Sequence, residues 1–563
     1  MLETETLSKS DLTSSTEEPT NSFESVLGSL GQFSRFQSLL YFSLWLPAAS
    51  MAASVYASVY MEYSPDFHCA AVVRGGGEDY TAAVIFDKDL ANFTCSLPVS
   101  TAAQSLSSAS APAAASTCVR WVYDTSVFTN TVVSQFNLVC ERGHLKTVAT
   151  TVYMSGMLVG SFFFGWFGDK FGRKWAFLAT TLCISLGSAA AALSPNIWVY
   201  MVARFVTSCG GVGIFITAFV IALEFVGPKY RTVCGVAIEV PFALGELYIV
   251  LLAYLIRDWQ IYQLAIGLPF FLFLVYMAKI PESVRWLRTQ GRHEEARRVL
   301  VRVAQTNKVI LPNYADTDED CAEGLAGGDS VGLSTMFVEP TLRLHFVIMA
   351  LNWIVATLGY YGLGLSSVSL SSDPFSSFAF SAAMELPAYL FCLLSLDRFG
   401  RKGILAFSQL LAGVTCVAAA LLPPHLQLLK LGLTLTGKFG AAASFAIVYV
   451  FTAELFPTQI RNSAIGLCST ASRIGAIFTP TIASLSASNP LILYLVIGVS
   501  CALGGAAALW LPETAGQPLP DSVEEAVALN RRKTAGNSRR DGKLLVLNMQ
   551  TGQQLLAKEK MVV

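Results

Sequence analysis

Among the ionisable residues inside otherwise apolar stretches, Glu239, Glu246, Glu385, Lys438 and Arg473 stand out. A charge at the centre of a membrane costs at least about 2.5–3.5 kcal/mol on insertion scales, so each such residue needs a reason to be there. Arg473 is flanked by Ala471, Ser472, Ile474 and Gly475. Those small neighbours leave room for a ligand, and a guanidinium can hold a carboxylate by two parallel hydrogen bonds. An internal salt bridge with a glutamate is the alternative. Lys438 is the second base. Glu239 and Glu246 are seven residues apart, which on a helix places them on nearly one face, and neither has a base three or four positions away. That face suits a cation or a proton. Glu385, two residues before Pro387, is a third acid of the same kind. Aromatic rings are numerous, and a ring face attracts an organic cation, although core packing explains most single rings.

The residue types that other chemistries need are missing. There is no phosphate-binding glycine loop and no Ser/His/Asp constellation, and no cysteine pair has CxxC spacing, so neither catalysis nor a metal is expected. His293 and His345 read as loop or helix-end residues. Nothing calls for a cofactor or a nucleic acid; coupling to Na+ or H+ stays open, as does the oligomeric state.

The elements that must carry these charges are membrane helices. Of 563 residues, 53% are hydrophobic and only 14% are charged, far below the quarter typical of soluble domains. Apolar runs long enough to cross a hydrocarbon core of about 30 Å fall at 39–60, 147–167, 175–194, 197–222, 232–256 and 260–280. A second set falls at 344–365, 375–396, 403–422, 426–451, 463–485 and 491–511. The expectation is an all-α membrane protein with twelve transmembrane helices in two six-helix halves, 39–280 and 344–511. Glycines such as Gly156, Gly160, Gly165, Gly210, Gly211 and Gly213 would allow close helix contact. Residues 1–38 form a tail with a short approach helix over Ser22 to Gln37. Residues 281–343 form a linker with one helix over Glu282 to Ala304, and 512–563 a second tail.

Two loops confirm the duplication. Gly168-Asp-Lys-Phe-Gly-Arg-Lys174 returns as Asp397-Arg-Phe-Gly-Arg-Lys402, with the aspartates 228 residues apart (169 to 397). Internal repeats are a frequent plan for secondary transporters. The aspartate is suited to cap the next helix, and the glycine to permit the turn. Lysine and arginine concentrate in these loops, between Arg285 and Lys308, and at 531–543. Placing those inside makes both termini cytoplasmic and the 61–145 loop extracellular. There is no signal peptide before the first span. The outer loop contains Cys69, Cys95, Cys118 and Cys140, suited to two disulfides with three possible pairings, and a glycosylation sequon at Asn92.

The chain resembles the major facilitator superfamily and, within it, the organic cation/anion/zwitterion transporters of solute carrier family 22. The resemblance rests on the paired loops, the long cysteine-containing outer loop, and three further motifs. These are Pro281-Glu-Ser-Val-Arg-Trp-Leu287, Glu454-Leu-Phe-Pro-Thr-Gln-Ile-Arg461 and Leu511-Pro-Glu-Thr514. Val284 replaces the usual proline. Ser469-Thr-Ala-Ser-Arg473, Glu385-Leu-Pro-Ala-Tyr389 and Gly437-Lys-Phe-Gly440 are most similar to the carnitine/organic-cation branch. Gly211 and Ile214 stand where carnitine-like relatives have Gln and Asn.

This resemblance implies the major facilitator fold, a plasma-membrane location in the lipid bilayer, and alternating access for a small organic ion. It implies a cavity bordered by helices 4, 7, 10 and 11. Phe215, Trp353, Tyr361 and Tyr449 would then join Arg473, Glu246, Glu385 and Lys438 at the substrate, with Tyr360, Phe445 and Phe478 close by. Asp169, Arg173, Asp397, Arg401, Glu224, Glu454 and Arg461 would form a gating network whose ion pairs hold one state and break as the halves rock. The expected cargo is a zwitterion or cation, an amine plus a carboxylate. An organic-anion exchanger and a transporter-like receptor or scaffold that no longer cycles are the alternatives.

Overall fold

The computed structural model describes residues 28–69, 95–97, 116–117, 121–278, 280–310, 335–367, 373–423, 425–489, 491–517, 520 and 522–529. Twelve principal helical segments are found among them. In the first half these are α1 (Arg35–Tyr56, with a last turn Ser58–Met61), α2 (His144–Phe171), α3 (Arg173–Ala192) and α4 (Ile197–Phe225). They continue with α5a (Pro228–Ala237), α5b (Val240–Leu255) and α6 (Trp259–Leu272). The second half comprises α7 (Pro340–Ser366), α8a (Pro374–Ala383), α8b (Glu385–Phe399), α9 (Arg401–Leu421), α10 (Gln427–Leu455), α11 (Thr458–Ser488) and α12 (Leu491–Ala508). Ten of the twelve segments are long and apolar enough to cross a membrane among the described residues. The exceptions have local causes: α6 ends early and continues as a 3-10 helix, Phe273–Ala278, while α11 carries Arg473 and many hydroxyls.

Packing repeats between the halves. α1 lies on α5 and α7 on α11; α3 meets α4 and α6 as α9 meets α10 and α12. Between the halves α2 packs on α11 and α5 on α8, an arrangement with a two-fold axis. Small residues permit these crossings. A Cβ at Gly156 would lie 2.6 Å from the Phe205 carbonyl oxygen, and one at Gly413 2.9 Å from that of Gly498. Gly165 makes no such approach and faces open space.

Two expectations need correction. Gly28 and Ser29 are helical, but residues 30–34 form a turn before α1 begins at Arg35, so the approach helix does not run unbroken to Gln37. The linker helix is two pieces, Val284–Thr289 and His293–Asn307, because Gly291 adopts a left-handed φ of 69° between them. The outer loop contains short antiparallel strands, Phe67–Cys69 with Trp121–Tyr123 and Ser96–Leu97 with Ser116–Thr117. Beside them Cys95 and Cys140 are joined in a disulfide. Asn92, Cys118 and the side chain of Cys69 lie outside the described residues. At this end Phe375 of α8a stacks on Tyr60 of α1 at 5.5 Å, with the Arg257 guanidinium 4.5 Å from its ring, so an aromatic contact joins the halves.

Candidate functional site

Two prolines place two of the acids. A proline ring crowds the carbonyl four residues before it and removes a helical hydrogen bond. Pro241 does this to Ala237, the last residue of α5a, and Pro387 to Ala383, the last residue of α8a. Glu239 therefore lies at one break and Glu385 opens the helix after the other. Glu246 follows two turns into α5b, beside Gly245, where the absence of a side chain lets α1 approach as far as the Ala49 carbonyl.

The buried charges of α5, α8 and α10 converge. The Lys438 ammonium pairs with Glu385 Oε1 at 2.6 Å, and Tyr389, one turn along α8b, donates to Glu385 Oε2 at 2.9 Å. Tyr360 of α7 stands between the acids, its hydroxyl 3.0 Å from Glu246 Oε1 and 2.9 Å from Glu385 Oε2. Lys438 also sits over the Tyr360 ring, 3.7 Å from its centroid, and donates to the Tyr360 carbonyl at 3.4 Å. Glu246 and Glu385 are fully buried and Lys438 is 1% exposed. Glu246 Oε2 has no hydrogen-bond partner. Two acids and one base are thus held together away from water, an arrangement that is costly unless something supplies the missing positive charge.

Arg473 occupies a separate corner. Its side chain is buried, its Nε makes no hydrogen bond, and no carboxylate lies within 4 Å among the described residues. The internal salt bridge that would have explained it is not formed. Its polar neighbour is Tyr361, whose hydroxyl it contacts, with Tyr449 close by.

Rings connect the two corners. Tyr361 and Tyr360 meet edge-on at 5.4 Å; Tyr360 stacks on Phe445 at 5.1 Å, and Phe445 meets Tyr449 at 5.7 Å. Trp353 lies 4.3 Å from Tyr449 and is fixed by a 2.9 Å hydrogen bond from its indole to Thr452. Phe215 is a layer further out, against Phe242, which in turn touches Tyr360. Phe478 is 58% exposed on the outer face of α11 and does not belong to this group. Sequence reasoning did not select Tyr56, Tyr389 or Phe242. Tyr389 could have been found, being four residues after Glu385 on one helical face. Tyr56, whose ring lies 5.6 Å from the Lys438 ammonium, carries no signal of that kind.

At the far end the repeated loops are superimposable in their bonding. Arg173 pairs with Asp169 at 3.2 Å and Glu224 at 3.3 Å; Arg401 pairs with Asp397 at 3.1 Å and Glu454 at 3.0 Å. The aspartates do not cap the following helices. The cap comes from a distant acid, Glu282 accepting from the Arg173 amide and Glu513 from the Arg401 amide, each at 2.8 Å. Gly172 and Gly400 adopt φ of 100° and 83°, and a Cβ on either would run into that carboxylate. These ion pairs stay inside their own half, so they do not lock the halves together in this conformation. Arg461 bonds backbone carbonyls, those of Phe456 and Pro520, each at 3.3 Å.

Residues 86–525 match the sugar (and other) transporter family. An organic cation transporter protein of Drosophila melanogaster is 31% identical over 92% of this chain and 97% of its own length. The human organic cation/carnitine transporter 2 is 32% identical, covering 74% of this chain and 76% of that one. Human solute carrier family 22 member 12 is 34% identical over 74% and 77%. Among solved structures, the proton:xylose symporter XylE superimposes with a TM-score of 0.60 at 16% identity, covering 88% of this chain and 99% of that one, a likeness of fold alone.

Proposed function

The chain belongs to solute carrier family 22, the organic-ion transporters of the major facilitator superfamily, and we propose that it carries small organic cations or zwitterions by alternating access. It is a membrane transporter, not an enzyme. The observation that carries the cargo is the separation of charge within one ring-lined site. An acid with an open oxygen, Glu246, stands at one end. At the other is Arg473, a buried guanidinium with a free Nε. A molecule with an amine and a carboxylate satisfies both ends, with Tyr360, Tyr361 and Tyr449 standing between them. Lys438, the second base an anion exchanger would use, is already committed to Glu385. Charge placement supports a plasma-membrane orientation with the paired loops and both termini in the cytoplasm and Asn92 glycosylated outside.

Paired substitutions test this reading. Arg473→Ala removes the partner of a desolvated carboxylate, worth about 2–5 kcal/mol, so uptake of L-carnitine-like zwitterions should nearly vanish while carboxyl-free cations lose less. Glu246→Gln should weaken every amine-bearing substrate. If Glu246→Gln spares zwitterions and Arg473→Ala stops all uptake, the cargo is an anion. An equal fall for all substrates together with lost surface expression would mean that the charges only hold the fold.

A further inference from the structure

The Tyr360 hydroxyl has one proton and two carboxylates within hydrogen-bond distance, Glu246 Oε1 at 3.0 Å and Glu385 Oε2 at 2.9 Å. It can donate to only one. The other contact is a hydrogen bond only if that carboxyl carries a proton and donates to the phenol oxygen. Tyr389 adds a second donor to Glu385 Oε2, at 2.9 Å, which leaves Glu246 as the acid that gives its proton to Tyr360.

The charge count leads to the same place. Ionised Glu246 and Glu385 outnumber Lys438 by one, and the ammonium is held at 2.6 Å by Glu385. The other ionisable groups facing the pair bring no positive charge: Tyr56 from α1, Glu239 from the α5 break, Tyr360 from α7 and Tyr389 from α8b. Arg473 faces Tyr361 and Tyr449 instead. An unneutralised carboxylate this deep in a membrane protein is expensive.

We propose that the Glu246–Glu385 pair holds one exchangeable proton in the substrate-free carrier, and that an entering organic ammonium displaces it, so that transport is an exchange of cation for proton. The inference rests on the reading that this site binds an amine. The ammonium takes the place beside the open Glu246 Oε2, and the proton leaves to the water of the open side. On the return stroke a proton from the opposite side neutralises the pair again. One monovalent cation moves against one proton, with no net charge transferred. Glu246 belongs to the first half and Tyr360, Glu385 and Lys438 to the second, so the exchange alters the contact that spans the two.

The test uses the full chain in proteoliposomes with tetraethylammonium, whose fixed charge carries no proton of its own. Voltage is clamped at zero with potassium and valinomycin, and the lumen is made one pH unit more acid than the outside. Accumulation above equilibrium is expected, limited to about tenfold per pH unit by one-for-one exchange, with the lumen growing alkaline in step. Glu246→Gln should abolish the dependence on the pH gradient. Tyr360→Phe, which keeps both acids and removes the bridge, should shift the external pH of half-maximal uptake. Downhill uptake without accumulation or lumenal alkalinisation in the wild type overturns the exchange and leaves the transporter reading standing. Gradient-driven accumulation by Glu246→Gln equal to wild type overturns the assignment to this pair. Failure to carry either tetraethylammonium or L-carnitine downhill overturns the transporter reading and the exchange with it.

Discussion

The paired loops and the mid-membrane cluster both hold buried or half-buried charges, but one is built twice and the other once. In the loops each arginine meets an aspartate four residues before it and a glutamate from a helix end, and a distant glutamate caps the helix that it opens. The ion pairs of Arg173 and Arg401 are made within their own half. In the cluster Glu246 comes from the first half and Glu385 and Lys438 from the second, and the acids exceed the base. The same fold thus contains a balanced frame that duplication could copy and an unbalanced site that it did not preserve. Imbalance is what leaves a site able to accept a charged guest, because a fully paired cluster gains nothing from one.

The largest expected effect comes from deepening the imbalance. Lys438→Ala leaves two buried acids without their base, and breaking a buried pair from one side costs about 3–5 kcal/mol. Thermal unfolding in detergent should show a large loss, mostly recovered when Glu385→Gln is combined with Lys438→Met. A loss as mild as that of the loop substitutions would mean that the buried acids do not depend on Lys438.

Gly172→Ala and Gly400→Ala come next. Each forces a left-handed backbone on a residue with a Cβ and pushes that Cβ against the capping glutamate, costing about 1–3 kcal/mol. The two losses in melting temperature should match. A harmless change at one of them would break the claim that the loops are one device made twice.

Asp169→Asn and Asp397→Asn are the smallest. The side chains are 78% and 82% exposed, so each pair contributes under about 1 kcal/mol to stability. Maximal uptake should nevertheless fall in both, with the half-saturating concentration kept, if these aspartates act in the state on the other side of the cycle. Unchanged turnover in both variants removes their gating role and leaves them as markers of orientation.

Sequence alone determined the parts of this protein whose physics is local. Twelve segments follow from apolar length, and the two halves from a charged loop that recurs 228 residues on (169 to 397). By contrast, 232–256 and 375–396 read as unbroken, and the breaks at Pro241 and Pro387 come only with the structure. Sequence also marked Glu239, Glu246, Glu385, Lys438 and Arg473, because charge in an apolar run is conspicuous, although it passed over the equally buried Arg204 and Glu62. What it could not supply was partnership. Glu282 and Glu513 lie 109 and 112 residues from the amides that they cap, so the aspartate in the loop was the nearer and wrong choice. Lys438 and Arg473 read alike as lone bases in apolar helices. Only the crossing of α8 and α10 ties the first to an acid, and only the turn of α11 leaves the second facing tyrosines. Tyr360 looks like any ring of α7 until α5 and α8 bring two carboxylates to its one hydroxyl. Helix periodicity fixes which residues share a face, but the partner across the gap depends on how separate helices cross, and that is decided by packing over the whole molecule.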